Sequence, residues 1–479
     1  MPEHIRNECC DQPLLDVAAL IARGDLSPVE VTAAVLDRVA ALEPALNAFV
    51  TVLAEEALAE AGRAEKEIAA GDYRGPLHGV PVSIKDLFFT AGIRTTASSR
   101  VLADHVPRSD ATVVTRLREA GAIIVGKTNM LEFAYAAVHE DYGPSPNPWD
   151  LTRSSSGSSS GSAVAVAAGM GYASVGSDTG GSIRLPAAYC GIVGMKPTYG
   201  RISRHGGVPV SWSCDHFGPM TRTVADCAAM LAAIAGEDPR DPTSGRVPVP
   251  DYVSLLDRGL HGMRIGVADA YFREHVSGDV QTVMDQALAH LEGLGATILS
   301  VTLPSPSVAV PALLAILMPE ATVYHLDWLR ERPNAYSNAV RERLELGAIT
   351  PAVSYIQAQR VRRQFIDDVL RGMAEVDLLV TPTGPTAATP LAGDLVTGDE
   401  ADPDVLAALI NFTGPFDLTG QPAISIPCGF TVSGLPVGMQ LVGRPYDEGT
   451  VLAAAHAYEQ STEWHRLLPA AIQPMLHAS

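Results

Sequence analysis

The stretch "GSDTGGSIRLPAAYCGIVGMKPTYG", residues 176–200, surrounds one serine hydroxyl with glycines. Gly176, Gly180 and Gly181 flank Ser182, and apolar runs bound the segment on both sides. Glycines let the backbone turn tightly and direct successive N–H groups to one point. That arrangement suits an oxyanion, whose hydrogen-bond donors must be in place before the charge develops. A glycine-rich turn between two strands would give the same pattern, so spacing alone leaves both interpretations open.

A second stretch, "TRSSSGSSSGSAVAVAAG" at 152–169, places seven serines in the nine positions from Ser154 to Ser162. Gly/Ser-rich tracts usually form flexible linkers, so composition alone favours a linker. The tract also contains G-x-S-x-G at 157–161, which would make Ser159 the nucleophile of an α/β-hydrolase elbow. Such an elbow needs a buried strand immediately before it, whereas this tract follows the proline-rich "PSPNPWDLTRSSS". The elbow is therefore the weaker alternative.

Lys85 stands at the end of the apolar run "GVPVSIKD" (79–86). A lysine in this place usually extends its ammonium group to solvent. If it is buried instead, its pKa falls and the neutral amine can act as a base. Serine–lysine pairs are an established alternative to histidine-based triads, so Lys85 is a candidate catalytic base.

The segment "GAIIVGKT" (121–128) matches the phosphate-loop pattern G-x-x-x-x-G-K-[ST]. That loop needs a strand before its first glycine and a helix after its lysine. Here a predicted helix precedes Gly121, and the four intervening residues are apolar. The segment is interpreted as a helix end followed by a buried strand, which argues against nucleotide binding.

Helix-like and strand-like segments alternate along the chain. The stretch 27–44 begins with Ser27 as a cap and Pro28 at the first helical position, and the helix predicted over 110–121 ends at Gly121. Apolar runs predict strands at 79–86, 122–126, 263–269, 296–303, 377–382, 423–429 and 437–443, and helices are predicted at 279–292, 354–373 and 449–460. This alternation is typical of a layered α/β protein.

The span 304–376 differs from the rest because its pattern is almost wholly helical. We interpret it as a helical insertion on the α/β core. Its aromatic residues are candidates for the walls of a substrate pocket, although ordinary helix packing explains any single one of them better: Tyr324, Trp328, Tyr336 and Tyr355.

The composition is that of a globular protein, with 47% hydrophobic and 18% charged residues. The net charge is −20, and such a surface repels phosphate backbones, so no nucleic-acid partner is expected. The six cysteines show no metal-ligand spacing and are sparse, which fits a reducing compartment. The N-terminus lacks the apolar core of a signal peptide, and no run reaches the roughly 20 apolar residues of a membrane span. We expect a cytoplasmic protein that uses no membrane, no metal and no cofactor.

Taken together, the motifs resemble those of the amidase signature family of serine hydrolases. The resemblance is dense over about residues 80–228 and weaker to 443. The matching segments are "VPVSIKD" (80–86), "GKTNM" (126–130), "NPWDLTRSSSGSSSGSAVAVAAG" (147–169), "GSDTGGSIRLPAAYCGIVGMKPTYGRISRHG" (176–206), "GPMTRTVADCA" (218–228), "FDLTGQPAISIPCGF" (416–430) and "LPVGMQLVG" (435–443). The resemblance implies an α/β fold in one large domain over 1–479, with a central mixed β-sheet flanked by helices. It also implies that the span 304–376 is a substrate cap.

The resemblance implies a Ser–cis-Ser–Lys triad made of Lys85, Ser158 and Ser182. Ser182 matches the family's nucleophile, Lys85 its motif lysine, and Ser158 the bridging serine, which is preceded by a cis peptide. The serine tract is then a catalytic loop that leads into a helix, and not a linker. Ser155, Ser156 and Ser160 depart from the family's pattern, which affects the expected loop shape but leaves the triad positions intact.

The other implied site residues surround this triad. The backbone N–H groups of Thr179, Gly180, Gly181 and Ser182 are expected to hold the oxyanion. Asp178, Arg184 and Ser159 are expected to support the catalytic loops from behind. The backbone near Ala134 is expected to line the substrate site.

The implied activity is hydrolysis of a C–N bond in a small-molecule amide, with carbamates and esters reachable through the same intermediate. The favoured form is a stand-alone amidohydrolase for substrates with an apolar or aromatic acyl or amine group. Aryl acylamidase and urethanase activities are open as forms of it, and a homodimer is left open. One alternative within the family is the glutamine-hydrolysing subunit of a tRNA-dependent amidotransferase. Such subunits carry an Asp seven positions before the residue that matches Asp417, whereas this chain has Ile410 there. A catalytically inactive scaffold of the same fold is a further alternative, which the presence of all three triad residues argues against.

Overall fold

A computed structural model describes residues 8–268, 272–391 and 403–476. Its centre is an eleven-stranded sheet in the order β1-β3-β2-β6-β8-β7-β12-β13-β11-β9-β10, and β4 and β5 form a separate two-stranded sheet. The strands are β1 (Phe49–Val52), β2 (Pro81–Lys85), β3 (Ile123–Thr128), β4 (Pro146–Asn147), β5 (Asp150–Ser154), β6 (Ala173–Asp178), β7 (Val193–Lys196), β8 (His216–Thr221), β9 (Arg264–Val267), β10 (Thr297–Ser300), β11 (Leu378–Pro382), β12 (Ala423–Phe430) and β13 (Pro436–Val442).

The large sheet is mixed, as expected. Strand β2 pairs in parallel with β3 and β6, and β9 pairs in parallel with β10 and β11, whereas β8 pairs antiparallel with β6 on one side and with β7 on the other. The residues of β2, β3 and β6 are all buried, because helices cover both faces of this part of the sheet.

Helices flank the sheet. They are α1 (Leu14–Ala22), α2 (Pro28–Leu46), α3 (Ala54–Ala69), α4 (Thr112–Glu119), α5 (Ser160–Ala167), α6 (Arg184–Cys190), α7 (Val224–Ile234), α8 (Gly278–Gly293), α9 (Pro306–Glu331), α10 (Asn338–Ala348), α11 (Ala352–Gly372), α12 (Pro403–Thr419), α13 (Glu448–Gln460) and α14 (Gln473–Leu476). Sequence signals set several of these bounds. Ser27 caps α2 by accepting from the N–H groups of Val29 and Glu30, and Gly121, with φ +79°, lies just beyond the end of α4.

The phosphate-loop match forms strand β3 instead of a loop. Its lysine, Lys127, is fully buried. The Nζ of Lys127 lies 3.2 Å from Asp86 Oδ1 and donates to the Phe88 carbonyl oxygen at 2.9 Å. An ammonium group held in this way inside the sheet cannot reach a nucleotide phosphate, so this segment is structural.

The span 304–376 forms the three helices α9, α10 and α11. Helix α9 packs against α10, α11 and α12, so it is an inner helix of this group. By length and composition α9 could also cross a membrane, which corrects the expectation that no segment reaches that size. Half of its most apolar window is buried within the protein.

Candidate active site

Strands β2 and β6 are parallel neighbours, so their carboxyl ends lie side by side at one edge of the sheet. Lys85 is the last residue of β2, and Ser177 and Asp178 end β6. The glycine-rich loop after β6 carries Ser182 and then enters α6. The sheet therefore places the predicted base beside the loop of the predicted nucleophile.

Lys85 is fully buried, and hydroxyl groups surround its amine. Its Nζ lies 2.7 Å from the Oγ of Ser158, 2.8 Å from the Oγ of Ser159 and 2.9 Å from the Oγ of Ser177. In the described part of the chain, no carboxylate forms an ion pair with it. Burial lowers the pKa of Lys85 well below its usual value, against the opposing charges of Asp178 and Asp215. This environment favours the neutral amine, which can accept a proton.

Ser158 lies in the loop between β5 and α5, and the peptide bond between Gly157 and Ser158 is cis, as expected. A Cβ at position 157 would come within 2.6 Å of the Leu131 side chain, so only glycine fits there without displacement of Leu131. The N–H of Ser159 donates to the carbonyl oxygen of Ser182 at 3.2 Å, which joins the two predicted serine loops directly. The serine tract is therefore a fixed loop followed by a helix, and the linker interpretation is wrong.

Ser182 is half-buried and lines a cavity together with Ser158. The cavity wall is mostly apolar. Its lining residues are Leu131, Ala134, Tyr135, Ala136, Ser156, Gly157, Ser158, Thr179, Gly180, Gly181, Ser182, Leu185, Val210, Leu314, Leu317, Arg343, Leu409 and Ile410. The structure thus brings Ser158, Ser182, Ala134 and the predicted oxyanion loop to one space, with Lys85 behind Ser158.

The N–H groups of the 179–182 loop do not all face this space. The N–H of Gly181 donates to Asp178 Oδ1 at 2.6 Å, so its predicted use as an oxyanion donor is corrected. Among the described residues, the N–H groups of Thr179, Gly180 and Ser182 have no protein acceptor. These three donors are the ones available to a developing negative charge.

Asp178 and Arg184 brace this loop from below. Both are fully buried, and Arg184 Nη2 donates to Asp178 Oδ1 at 2.9 Å and to Asp417 Oδ2 at 2.7 Å. Burial raises the pKa of Asp178, but the guanidinium and the backbone N–H donors outweigh it and hold the pKa below its usual value. Arg184 also donates to the Thr413 carbonyl oxygen at 3.0 Å, so the pair ties the loop to α12.

Asp215 supports the loop from the other side, and no sequence motif indicated it. Its carboxylate accepts from Thr179 Oγ1 at 2.6 Å and from the N–H groups of Val210 and Ser211. Burial raises the pKa of Asp215 to about 6 against these hydrogen bonds. Ser211 in turn donates to Glu320 of α9 at 2.5 Å, so hydrogen bonds connect the loop to the helical insertion.

The aromatic residues suggested for the pocket walls do not line the cavity. Tyr324, Trp328 and Tyr336 form a cluster with Phe133 and His325. Tyr355 donates to Glu320 at 2.9 Å. The insertion contributes Leu314, Leu317 and Arg343 to the lining instead, because α9 and α10 turn these side chains toward the cavity.

Ser177 and Arg343 are candidate site residues that the motifs did not indicate. Ser177 precedes Asp178 on β6, and the pairing of β6 with β2 places its hydroxyl beside Lys85. A prediction of strand order would have found Ser177. Arg343 carries no local signal, since it is one of several arginines on helices of the insertion.

The sequence matches the Amidase family model over residues 30–452. A relative from Moorella thermoacetica, named as a subunit of glutamyl-tRNA(Gln) amidotransferase, is 44% identical over 483 residues, which cover 95% of this chain and 97% of the relative. The protein belongs to the amidase family, whose members carry the amidase signature, and its single α/β domain is the fold of that family.

Two solved structures are similar over nearly the whole chain. One is described as a vestigial protein complex that reveals the evolutionary origins of an s-triazine catabolic enzyme. It is 35% identical with a TM-score of 0.88, over 94% of this chain and 98% of that chain. The other is a subunit of glutamyl-tRNA(Gln) amidotransferase from Thermotoga maritima, which is 35% identical with a TM-score of 0.78, over 92% and 94%.

These similarities correct the expectation about partners. The net charge predicts no nucleic-acid partner, and the family resemblance implies a small-molecule substrate, but the relatives are named as a subunit of an amidotransferase for glutamyl-tRNA(Gln). The expectation failed because net charge describes the surface of one chain. It does not indicate what an assembly of several chains acts on.

Proposed function

We propose that the chain hydrolyses the C–N bond of an amide through an acyl-enzyme on Ser182. The observation that carries the proposal is the buried Lys85 amine, held by serine hydroxyls and 2.7 Å from Ser158, behind the cavity that Ser182 lines. Family membership supports C–N hydrolysis as the general chemistry.

In the first step, neutral Lys85 accepts a proton from Ser158 while Ser158 accepts one from Ser182. The Oγ of Ser182 attacks the acyl carbon, and the carbonyl oxygen takes up the negative charge. The N–H groups of Thr179, Gly180 and Ser182 stabilise that oxyanion. The same relay then returns the proton to the leaving nitrogen as the C–N bond breaks, and water hydrolyses the ester left on Ser182.

Glutamine is the first candidate for the amide. The support is the 44% identity to a protein named as a subunit of glutamyl-tRNA(Gln) amidotransferase. In that case the chain supplies ammonia to a partner chain, and the assembly acts on glutamyl-tRNA(Gln).

An amide, carbamate or ester with an apolar group is the second candidate, and the cavity favours it. Ile410 lines the cavity, and its side chain lies within 4 Å of where a Cβ on Gly180 would be. Among the described lining residues there is no carboxylate, so the α-ammonium group of glutamine would have no counter-charge. Aryl acylamidase and urethanase activities are forms of this candidate.

The test measures ammonia or amine release from glutamine, aliphatic amides, anilides and carbamates, with wild type and Ser182→Ala in parallel. We expect release by wild type that is lost in the variant, and a covalent acyl adduct on Ser182 by intact mass spectrometry. Undiminished release by Ser182→Ala, or an adduct on another residue, would overturn the mechanism.

Ile410→Asp separates the two candidates. If the cavity selects an apolar group, this variant gains activity toward glutamine and loses activity toward apolar amides. If glutamine is already the substrate of the wild type, the variant gives no gain toward it.

A further inference from the structure

The helical insertion exposes an apolar surface where α10 meets α11. Residues 346–359 contain no charged residue, although 18% of the chain is charged. Four large aliphatic side chains of this span, which we call the aliphatic patch, are each more than half exposed: Leu346, Ile349, Val353 and Ile356. Single exposed aliphatic residues are common on protein surfaces, whereas a group of them close together marks an interaction site.

The aliphatic patch lies on the outer side of the two helices. Leu346 is in the last turn of α10, Ile349 directly follows that helix, and Val353 and Ile356 are in the first two turns of α11. Another face of α11 carries its buried residues Ala358, Phe365 and Val369, which pack inward. The packing of α11 within the chain therefore leaves the patch uncovered in the described part of the structure.

Helices α10 and α11 follow one another along α9. Three relationships establish this direction: His325 hydrogen bonds with Tyr336, Glu320 accepts from Tyr355, and Ala309 shares a buried apolar cluster with Phe365. Positions on α9 thus decrease as positions from 336 to 365 increase. The two helices form one broken rod, and the aliphatic patch lies near its middle.

Charged residues flank the patch with opposite signs at its two ends. Glu342 and Glu345 precede it on α10, and Arg360 and Arg363 follow it on α11, and all four side chains are exposed. Each lies four or seven residues from a patch residue of the same rod, so helical periodicity places it on the same face. Along the rod this outer face is therefore acidic, then apolar, then basic.

These end charges are largely available to a partner. Glu345 and Arg363 each have one neighbour of opposite charge on their own helix. Glu342 and Arg360 are exposed, and no ion pair or hydrogen bond of either side chain is found in the described part of the chain. Surface pairs within one helix are weak and exchange readily, so all four groups can meet charges from outside.

The charge balance of the insertion also differs from that of the whole chain. The span 304–376 has eight arginines and eight acidic residues, so the rest of the chain carries the net charge of −20. Two copies of such a chain repel each other over most of their surfaces. The insertion is where they can approach without net repulsion.

We propose that a second copy of this chain docks on the aliphatic patch, with a two-fold axis through the patch. In a two-fold contact the same surface serves in both copies, so the rods lie antiparallel and the acidic end of each meets the basic end of the other. The apolar centre is removed from water, and the charges at the rim set the orientation. This inference goes beyond the proposed amide hydrolysis and does not rest on it, because association of two copies needs no turnover.

Sedimentation velocity at micromolar concentrations tests the proposal. Wild type should sediment as a dimer that dissociates on dilution. The double variant Ile349→Glu, Val353→Glu places carboxylates of both copies at the centre of the contact and should sediment as a monomer at the same concentrations. Far-ultraviolet circular dichroism and urea unfolding should match wild type, because both positions are exposed.

The double variant Val308→Glu, Val432→Glu is the matched control, since it adds the same charge at exposed positions outside the patch. It should dimerise as wild type does. Equal loss of dimer in both double variants, or a dimer that persists in Ile349→Glu, Val353→Glu, would overturn the proposal. A monomeric wild type would also overturn it, and co-sedimentation of that monomer with phosphatidylcholine vesicles would assign the patch to a lipid surface.

Charge reversal tests the antiparallel arrangement. Glu342→Arg with Glu345→Arg makes both ends of the rod basic, and Arg360→Glu with Arg363→Glu makes both ends acidic. Each variant alone should self-associate at least about tenfold more weakly than wild type, because like charges then meet at both ends. An equimolar mixture of the two variants should recover the dimer as a heterodimer. A mixture that stays monomeric would contradict the proposed contact.

Discussion

The Oγ1 of Thr179 donates to Asp215 Oδ1 over 2.6 Å and fixes the first residue of the oxyanion loop to a buried carboxylate. The pKa of Asp215, raised to about 6 by burial, exceeds its value of about 3.9 in an unfolded chain. The folded state therefore binds this proton more tightly than the unfolded state. The stability that protonated Asp215 contributes is therefore complete below about pH 4 and is lost as the pH rises through 6.

Asp215→Asn should remove this dependence of the free energy of unfolding on pH. Between pH 4 and 6 the free energy of unfolding of wild type should fall relative to the variant by about 1 to 3 kcal/mol. Urea unfolding at a series of pH values measures the free energy of unfolding of wild type and of the variant. Parallel curves for the two proteins would contradict the prediction.

Lys85→Met should abolish amide hydrolysis and raise the free energy of unfolding at pH 7. The folded pKa of Lys85 lies well below its unfolded value of about 10.4, because burial disfavours the ammonium form. The unfolded state thus binds the extra proton, and wild type becomes more stable as the pH rises toward 10. The excess in free energy of unfolding of Lys85→Met over wild type should therefore shrink as the pH rises from 7 toward 10. A difference that is independent of pH would show that Lys85 is charged in the folded protein.

Ser158→Ala should lower kcat for any amide substrate by at least about a thousandfold, because it interrupts the proton relay between Lys85 and Ser182. Ser160→Ala is the control, since Ser160 lies in the first turn of α5 and forms no hydrogen bond with Lys85 or Ser182. Its activity should remain within about 2-fold of wild type. Equal losses in both variants would point to a damaged loop instead of a relay.

Arg184→Met should lower the free energy of unfolding by about 3 to 5 kcal/mol, because it leaves the carboxylate of Asp178 buried without its cation and removes the hydrogen bond to Asp417. Arg240→Met, at a half-exposed pair with Asp238, should cost no more than about 1 kcal/mol. Chemical denaturation compares the two. A small effect at Arg184 would mean that Asp178 is protonated in the folded protein.

Local patterns predicted the positions that local geometry controls. The Ser27 cap and the apolar runs located most helices and strands, because capping and periodicity act within a few residues. The motif resemblance located Lys85, Ser158 and Ser182, which the structure brings together.

Long-range packing controls what the sequence did not indicate. The hydroxyl of Ser177 reaches Lys85 only because β2 and β6 are adjacent in the sheet. The N–H of Gly181 turns to Asp178, and a glycine-rich spacing cannot indicate which N–H groups of a loop point outward. Arg343 differs from the other arginines of the insertion in lining the cavity, which the sequence alone cannot indicate.

The site is assembled from chain segments far apart in sequence: Lys85 ends β2, Ser158 and Ser182 follow β5 and β6, and Arg343 and Ile410 come from α10 and α12. No short fragment of the chain contains all of these parts. Contacts between distant segments form late in refolding, because closing long loops is entropically costly. Recovery of catalysis after dilution from denaturant should consequently be slower than recovery of the far-ultraviolet circular dichroism signal. The rate at which enzymatic turnover returns would then report the completion of the whole fold.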